Sequence, residues 1–313
     1  MTDTSHARPA TPRRMLLDTA GVYFRAFYSV PDTVTAPDGT PVNAVRGTLD
    51  AIARLVAEFR PAEVVACWDE DWRPQWRVDL IPSYKTHRVA EQVEAGPDVE
   101  VVPDPLSVQV PIIETALTAL GIPVVGAAEH EADDVIGTLA SVSPLPVDVV
   151  TGDRDLFQLI DDARDVRVIY TGRGMSKLEI LTDEALVAKY GVRPDQYADF
   201  AAMRGDASDG LPGVAGVGEK GAATLLQQYG DLAGILAAAG DPAIPMPAGQ
   251  RARFAAAADY LAVAPKVVQV VRDLDLPAFD ARIGRADEAA CRALAERYGL
   301  TSSMNRALAA LAA

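Results

Sequence analysis

IPVVGAAEHEADDVIGTLA, residues 122–140, runs from a short apolar segment into a helix that opens with Glu131, Asp133 and Asp134. IPVV reads as a buried strand and the segment from Glu131 onward as a packed helix, so one stretch carries a strand-to-helix step. Three acids within four positions repel one another unless something positive or solvent sits among them.

Working outward, three more apolar runs read as strands: MLL at 15–17, EVVAC at 63–67 and VDVVT at 147–151. Between them lie segments with helical spacing, NAVRGTLDAIARLVAEF at 43–59 and VPIIETALTAL at 110–120. Strands alternating with helices predict an α/β fold, a mostly parallel central sheet with helices on both faces. From about residue 190 the pattern becomes helical only, with loops rich in Gly, Pro and Asp and an Ala-rich end that reads as structural. Residues 89–106 hold acids and prolines with little periodicity and are expected to form a flexible loop or arch. No Lys or Arg occurs between Arg88 and Arg154.

The chain has 313 residues, 49% of them hydrophobic, enough for one large or two modest domains. No run reaches the length of a membrane span, and MTDTSHARPATPRR lacks the apolar core of a signal peptide. A disordered tail over 1–13 and a cytoplasmic location are expected. Cys67 and Cys291 have no metal-type spacing and read as packing residues. The net charge of −15 argues against a nucleic-acid partner when taken globally. Acids gathered around a metal ion weigh on that total while being neutralised locally.

The acids fall at strand ends. Asp18 follows MLL, Asp69 follows EVVAC by one residue, and Asp153 and Asp155 follow VDVVT. In an open parallel sheet the carboxyl ends of the strands share the edge where ligands bind. These four acids, with Glu131, Asp133 and Asp134, are therefore expected on one rim, with no evident compensating Lys. Hard cations with oxygen ligands, magnesium or manganese, are the natural remedy. Two such ions about 4 Å apart can activate a water and stabilise a leaving oxygen at a phosphodiester. Any single acid here is equally readable as a helix cap or a solvated turn residue. An aspartyl-phosphate phosphatase would also gather acids at this edge, but its nucleophile strand ends in two Asp residues one apart, and here the sequence is Asp18-Thr19-Ala20.

Gly216, Gly218 and Gly221 form a literal GxGxxG, yet no strand precedes it, which excludes the dinucleotide reading. A phosphate-gripping turn before a helix, aided by Lys220, and a tight helix connection both remain open. Asp206 and Asp209 flank this turn. Arg77, Tyr84, Lys85 and Arg88 form a cationic track with Trp72 and Trp76 interleaved, suited to phosphates and stacked bases, or to a core in the case of the Trp residues.

The ordered segments LLDTAGVYFRAFY, WRVDLIPSYKTHR, HEADDVIGTLA, VVTGDRDLFQLI and RGDASDGLPGVAGVGEKGAATLL resemble the 5′-nuclease family, which includes flap endonucleases and the 5′–3′ exonuclease domain of bacterial DNA polymerase I. The resemblance covers about residues 14–235 and implies a PIN-like nuclease domain over 14–190, with an arch at 84–110, followed by a helix-three-turn-helix domain over 191–313. It implies a stand-alone, monomeric, metal-dependent 5′-flap endonuclease or 5′–3′ exonuclease of replication and repair, working at the nucleoid on flaps, nicks, gaps or RNA–DNA hybrids and leaving a 5′ phosphate and a 3′ hydroxyl. Asp18, Asp69, Glu131, Asp133, Asp134, Asp153, Asp155, Asp206 and Asp209 match its metal-site acids. Lys85 and Arg88 match residues that act on the scissile phosphate. Arg25, Arg77 and Tyr84 match positions near the substrate, and Gly213, Gly216, Gly218, Lys220 and Gly221 match the turn that holds duplex DNA, often with a potassium ion at 212–221. Gly210 stands where the family usually has Asn, and the arch lacks the usual basic residues. A non-catalytic DNA-structure binder or a PIN-type ribonuclease would share most of these features.

Overall fold

The computed structural model describes residues 11–93 and 97–312. Among the described residues there are eight strands: β1 (Arg14–Asp18), β2 (Glu63–Cys67), β3 (Val89–Glu91), β4 (Val99–Glu100), β5 (Val124–Val125), β6 (Val147–Thr151), β7 (Val166–Tyr170) and β8 (Glu179–Leu181). Six of them form a sheet in the order β5-β2-β1-β6-β7-β8, parallel throughout except for β8. The four strands expected from sequence are all in it, and β7 and β8 extend it on one side. The order reverses between β1 and β6, so the two strands part there at their carboxyl ends and leave a crevice.

The helices of the first half are α1 (Thr19–Ser29), α2 (Asn43–Phe59), α3 (Gln75–Leu80), α4 (Asp104–Ser107), α5 (Val110–Ala119) and α6 (Ala132–Val142). Strand side chains alternate between two cores, as the period of two requires. Leu16, Val65 and Val149 face one that includes Val135, Ile136 and Leu139 of α6. Met15, Leu17, Val64 and Val150 face the other, with Leu49 and Ile52 of α2 and Ile113 of α5. Both cysteines are buried and free.

After β8 come α7 (Asp183–Tyr190), α8 (Tyr197–Arg204), α9 (Glu219–Tyr229), α10 (Leu232–Gly240), α11 (Ala248–Ala256), α12 (Ala258–Val268), α13 (Glu288–Tyr298) and α14 (Thr301–Leu311). The first six surround a core around Tyr197, Phe200 and Phe254 that is continuous with the α6 side of the sheet. The last two differ from the expected division of the chain. Met304 and Ala307 of α14 and Cys291 of α13 lie in the core beneath α2 and α5, and Arg306 pairs with Asp50 at 2.6 Å. The Ala-rich end therefore returns to the sheet rather than extending the helical part.

Of the tail expected over 1–13, residues 1–10 lie outside the described residues. Arg13 is fastened, with Nε 2.7 Å from the buried Asp148. The arch is also more regular than expected: β3 and β4 form an antiparallel ribbon, and α4 follows it. Arg73, buried, forms an ion pair with Asp98, and Trp72 donates to the Asp98 carbonyl at 2.7 Å. These contacts tie the ribbon to the sheet.

Candidate active site

A cavity of about 610 Å³ opens at the β1–β6 crevice. Its floor is Asp18, Gly152 and Asp153, and its sides are Asp69, Glu131 and Asp133. Phe24, Arg25 and Tyr28 of α1 form one lip; Trp72, Lys85, Arg88 and Glu100 form the other.

Each acid is set by the element that ends or begins beside it. Asp18 caps α1, with Oδ1 accepting from Gly21 N at 2.8 Å, and its Oδ2 accepts from the Thr151 hydroxyl at 2.8 Å. A Cβ at residue 21 would stand 2.4 Å from Asp18 Oδ2, so the cap needs glycine there. Asp69 accepts from Ala132 N at 2.7 Å, which joins the end of β2 to the start of α6. Asp153 Oδ1 accepts from Asp155 N at 2.8 Å, closing the turn after β6. Asp155 is buried and its Oδ1 has no hydrogen-bond partner.

The electrostatics tie these acids into one group. Burial raises the Asp18 carboxyl, partly offset by Gly21 and Thr151, with Asp153 adding to the rise. Burial, then Asp153 and Asp18, push Asp133 well above the carboxylate range. Burial, then Asp153 and Asp209, do the same to Asp155. Asp69 rises to about 7 and Asp209 to about 6, in both cases chiefly through burial. Charge is costly here for each of these carboxylates.

The three acids that open α6 have separate fates. Of the three, Asp133 alone is without a basic partner among the described residues. Glu131 lines the cavity but is held by Arg77 at 2.9 Å, by the Tyr84 hydroxyl at 2.6 Å and by Lys85. Burial alone would raise its carboxyl, but Lys85 and Arg77 hold it below the usual range. Asp134 is fully buried, bridged by both Arg77 terminal nitrogens at 2.9 and 2.7 Å and accepting from Val271 N at 2.8 Å. The expectation of a rim without compensating cations is therefore corrected: Arg77 and Lys85 neutralise part of it. Asp134 lies in a closed ion pair and does not reach the cavity.

Two expected substrate contacts are corrected as well. Arg77 is 3% exposed, also donates to the Val267 carbonyl at 3.1 Å and stacks on Trp76 at 4.4 Å, and Tyr84 is 4% exposed. Both side chains are enclosed in this structure, and neither lines the cavity. Trp76 is half-buried, consistent with a packing role, while Trp72 lines the cavity. Lys85 and Arg88 stay at the lip, and both tie it to the loop 206–211: Lys85 N donates to the Asp209 carbonyl at 3.0 Å, and Arg88 lies 3.4 Å from Asp209 Oδ1. Arg25 lines the cavity with its buried Nε unpartnered. Asp206 turns inward on its own loop, accepting from Ser208 N at 2.9 Å and Arg204 at 3.0 Å, and does not line the cavity.

Gly210 has a local reason. Its φ of +69° lies in the left-handed region, and a Cβ would stand 2.1 Å from the Ser83 carbonyl. Glycine lets the loop pack onto residues 83–85, where Ser83 Oγ donates to the Gly210 carbonyl at 2.8 Å.

The glycine turn joins α8 to α9. Gly213, at φ +66°, passes so close to Gly205 N that a Cβ would come within 2.6 Å. Gly216, Gly218, Lys220 and Gly221 are exposed, and Gly218 starts α9 with no side-chain cap, so the first N–H groups of the helix face solvent. Sequence reasoning missed Thr151, the Phe24 and Tyr28 lip and Glu100. The spacing of four between Phe24 and Tyr28 on α1 was the available signal; nothing local marks Thr151 or Glu100.

Among the described residues no three acidic, histidine or cysteine side chains are drawn tightly enough to enclose an ion as they stand. Asp18, Asp69 and Asp153 are turned onto N–H and O–H donors instead. The donor set nonetheless suits a hard cation: it is all oxygen, its charges repel, and Asp155 Oδ1 is buried without a partner.

Residues 13–191 match the family described as 5′-3′ exonuclease, N-terminal resolvase-like domain, and 192–289 match 5′-3′ exonuclease, C-terminal SAM fold. A 5′-3′ exonuclease of Streptomyces coelicolor is 60% identical over 301 residues, covering 96% of this chain and 100% of that protein. One of Mycobacterium tuberculosis is 48% identical over 308 residues, covering 95% and 97%. Among solved structures, the T5 5′-exonuclease with bound zinc has a TM-score of 0.64 at 16% identity, covering 96% of this chain and 99% of that one, a likeness of fold.

Proposed function

This chain belongs to the 5′–3′ exonuclease family and is a nuclease, and we propose that it acts as a structure-specific 5′ nuclease with its chemistry in the β1–β6 cavity. The observation that carries this is the mutually repelling group of buried Asp18 and Asp155, half-buried Asp133 and Asp209 and exposed Asp153, gathered at and beside the cavity with the unpartnered Arg25 Nε.

Asp18, Asp69, Glu131, Asp133, Asp153, Asp155 and Asp209 would hold divalent ions, magnesium or manganese, with Asp134 and Asp206 supporting through their arginine pairs. Such ions activate water and stabilise charge on phosphate and leaving oxygens. Arg25, Lys85 and Arg88 bind and orient the scissile phosphate, while Phe24, Tyr28 and Trp72 shield it from bulk solvent. The turn at 213–221 and the free N–H groups of α9, with Lys220, grip a duplex backbone without reading sequence. A potassium ion at 212–221 would add to that grip.

The substrates of this reading are flapped, nicked or gapped duplexes, including RNA–DNA hybrids, cut to a 5′ phosphate and a 3′ hydroxyl by a monomer at the nucleoid. The nuclease domain would span 14–190 with its arch at 84–110, and the helical part would follow. Among the described residues no helix is long and apolar enough to cross a membrane.

The test is a panel of end-labelled flap, nicked, gapped and single-stranded DNAs incubated with magnesium, manganese or a chelator. Metal-dependent cleavage of the duplex forms near the junction is expected. Binding of the duplexes without cleavage under any metal would leave a DNA-binding scaffold instead.

A further inference from the structure

One acid of the arch stands at the cavity itself. Glu100 ends β4, directly opposite Val89 in the ladder, and Val101 N donates to the Arg88 carbonyl at 2.7 Å. The ladder thus fixes the Glu100 backbone beside the end of the basic track. Two contacts at Asp98 hold the ribbon down, the Arg73 ion pair and the Trp72 indole, and Val93 N donating to Asp98 at 3.1 Å braces the ribbon internally. Glu100 is half-buried and lines the cavity together with Lys85 and Arg88.

The cations beside it each have a closer acidic partner. Lys85 is paired with Glu131 and Arg88 with Asp209. Glu100 forms no ion pair among the described residues. No Lys or Arg of the arch follows it to offset its charge, since none occurs between Arg88 and Arg154. A strand passing this lip brings a series of phosphates past a carboxylate that Arg88 and Lys85 offset only at a distance, without a direct pair, in a partly closed space where screening is weak. A 5′ end at a nick brings few phosphates there.

Resting on the nuclease reading above, we propose that Glu100 is a specificity-determining residue that disfavours long single-stranded 5′ flaps relative to 5′ ends at nicks. The arch then acts as an electrostatic filter at the cavity mouth. Its acid sets which 5′ structures reach the buried carboxylates, and it takes no part in bond cleavage.

The experiment compares kcat/KM for a nicked duplex and for the same duplex bearing a long 5′ flap, with magnesium, for wild type, Glu100→Gln and Glu100→Lys. Thermal melting of each variant confirms folding, and the near-isosteric Gln change guards against disruption by the Lys. The flap-to-nick ratio should rise roughly 10-fold in Glu100→Gln and further in Glu100→Lys, with the gain shrinking at high salt. An unchanged ratio, or equal shifts on both substrates, would overturn the inference while leaving the nuclease reading intact. If the wild type cuts neither duplex, both fall.

Discussion

The Thr151 hydroxyl donates to Asp18 Oδ2 at 2.8 Å and accepts from Asp153 N at 2.8 Å, so one side chain joins the end of β1 to the turn after β6. It spans the point at which the strand order reverses, the crevice where open α/β sheets place their ligands. Thr151→Val keeps the shape and removes both bonds, leaving one oxygen of the buried Asp18 carboxylate and a part-buried N–H unmet. Urea unfolding should show a loss of about 1–3 kcal/mol, with a fall in kcat exceeding any change in KM. Unchanged stability and kcat would mean that the hydroxyl does not organise the site.

Arg77 and Arg25 separate structure from substrate binding. Arg77 is enclosed by Glu131 and Asp134. Arg77→Met strands both carboxylates and should cost about 3–5 kcal/mol in denaturant unfolding. Arg25→Ala should leave the melting temperature nearly unchanged and weaken binding or cleavage of the nicked duplex about 10-fold or more. If Arg77→Met melted like wild type and lost only DNA affinity, the buried pair would be misassigned.

The metal-free protein should carry a pH signature from its raised carboxyls. Burial, against the opposing Ala132 N–H, lifts Asp69 to about 7. The folded chain then holds a proton that the unfolded chain releases near pH 4, so stability falls as pH rises from about 4 to about 7 and the loss is complete above that. Asp209, lifted to about 6, adds in the same direction. Unfolding of chelator-treated protein across this range should show a shallower slope in Asp69→Asn, and magnesium should flatten the wild-type slope by favouring the ionised acids. A variant with the wild-type slope would contradict the assignment.

Gly210→Asn introduces the residue that the sequence resemblance leads one to expect there and should destabilise this chain. Asn tolerates a left-handed backbone, but its Cβ would press on the Ser83 carbonyl, 2.1 Å away as placed. A drop of at least about 1 kcal/mol in unfolding free energy is expected. A neutral or stabilising result would show that the loop 206–211 yields at no cost.

Much of this architecture is legible in the sequence because its signals are local. The stretch 43–59 alternates at helical spacing and forms α2 over the same residues. The apolar runs before Asp18, Asp69 and Asp153 are strands, and parallel pairing brings their ends to one edge. Other features depend on distant partners. β8 is three residues long, and the arch strands three and two, too short to show a period of two. The ribbon is held by Arg73 and Asp98, 25 positions apart. Arg77 and Asp134 are 57 apart, and no spacing rule reveals that this cation is enclosed while Arg25 is left without a partner. Nor does an Ala-rich stretch reveal that α14 closes over α2.

Single-turnover cleavage of an end-labelled nicked duplex by wild type and Asp153→Asn, with magnesium and with matched folding and duplex binding, tests the acidic cavity most directly. The substitution keeps the shape of the side chain and removes one charge from the centre of the repelling group. Loss of at least about 10²-fold in rate with binding retained is the predicted result. Cleavage by the variant at the wild-type rate would place the chemistry elsewhere in the molecule.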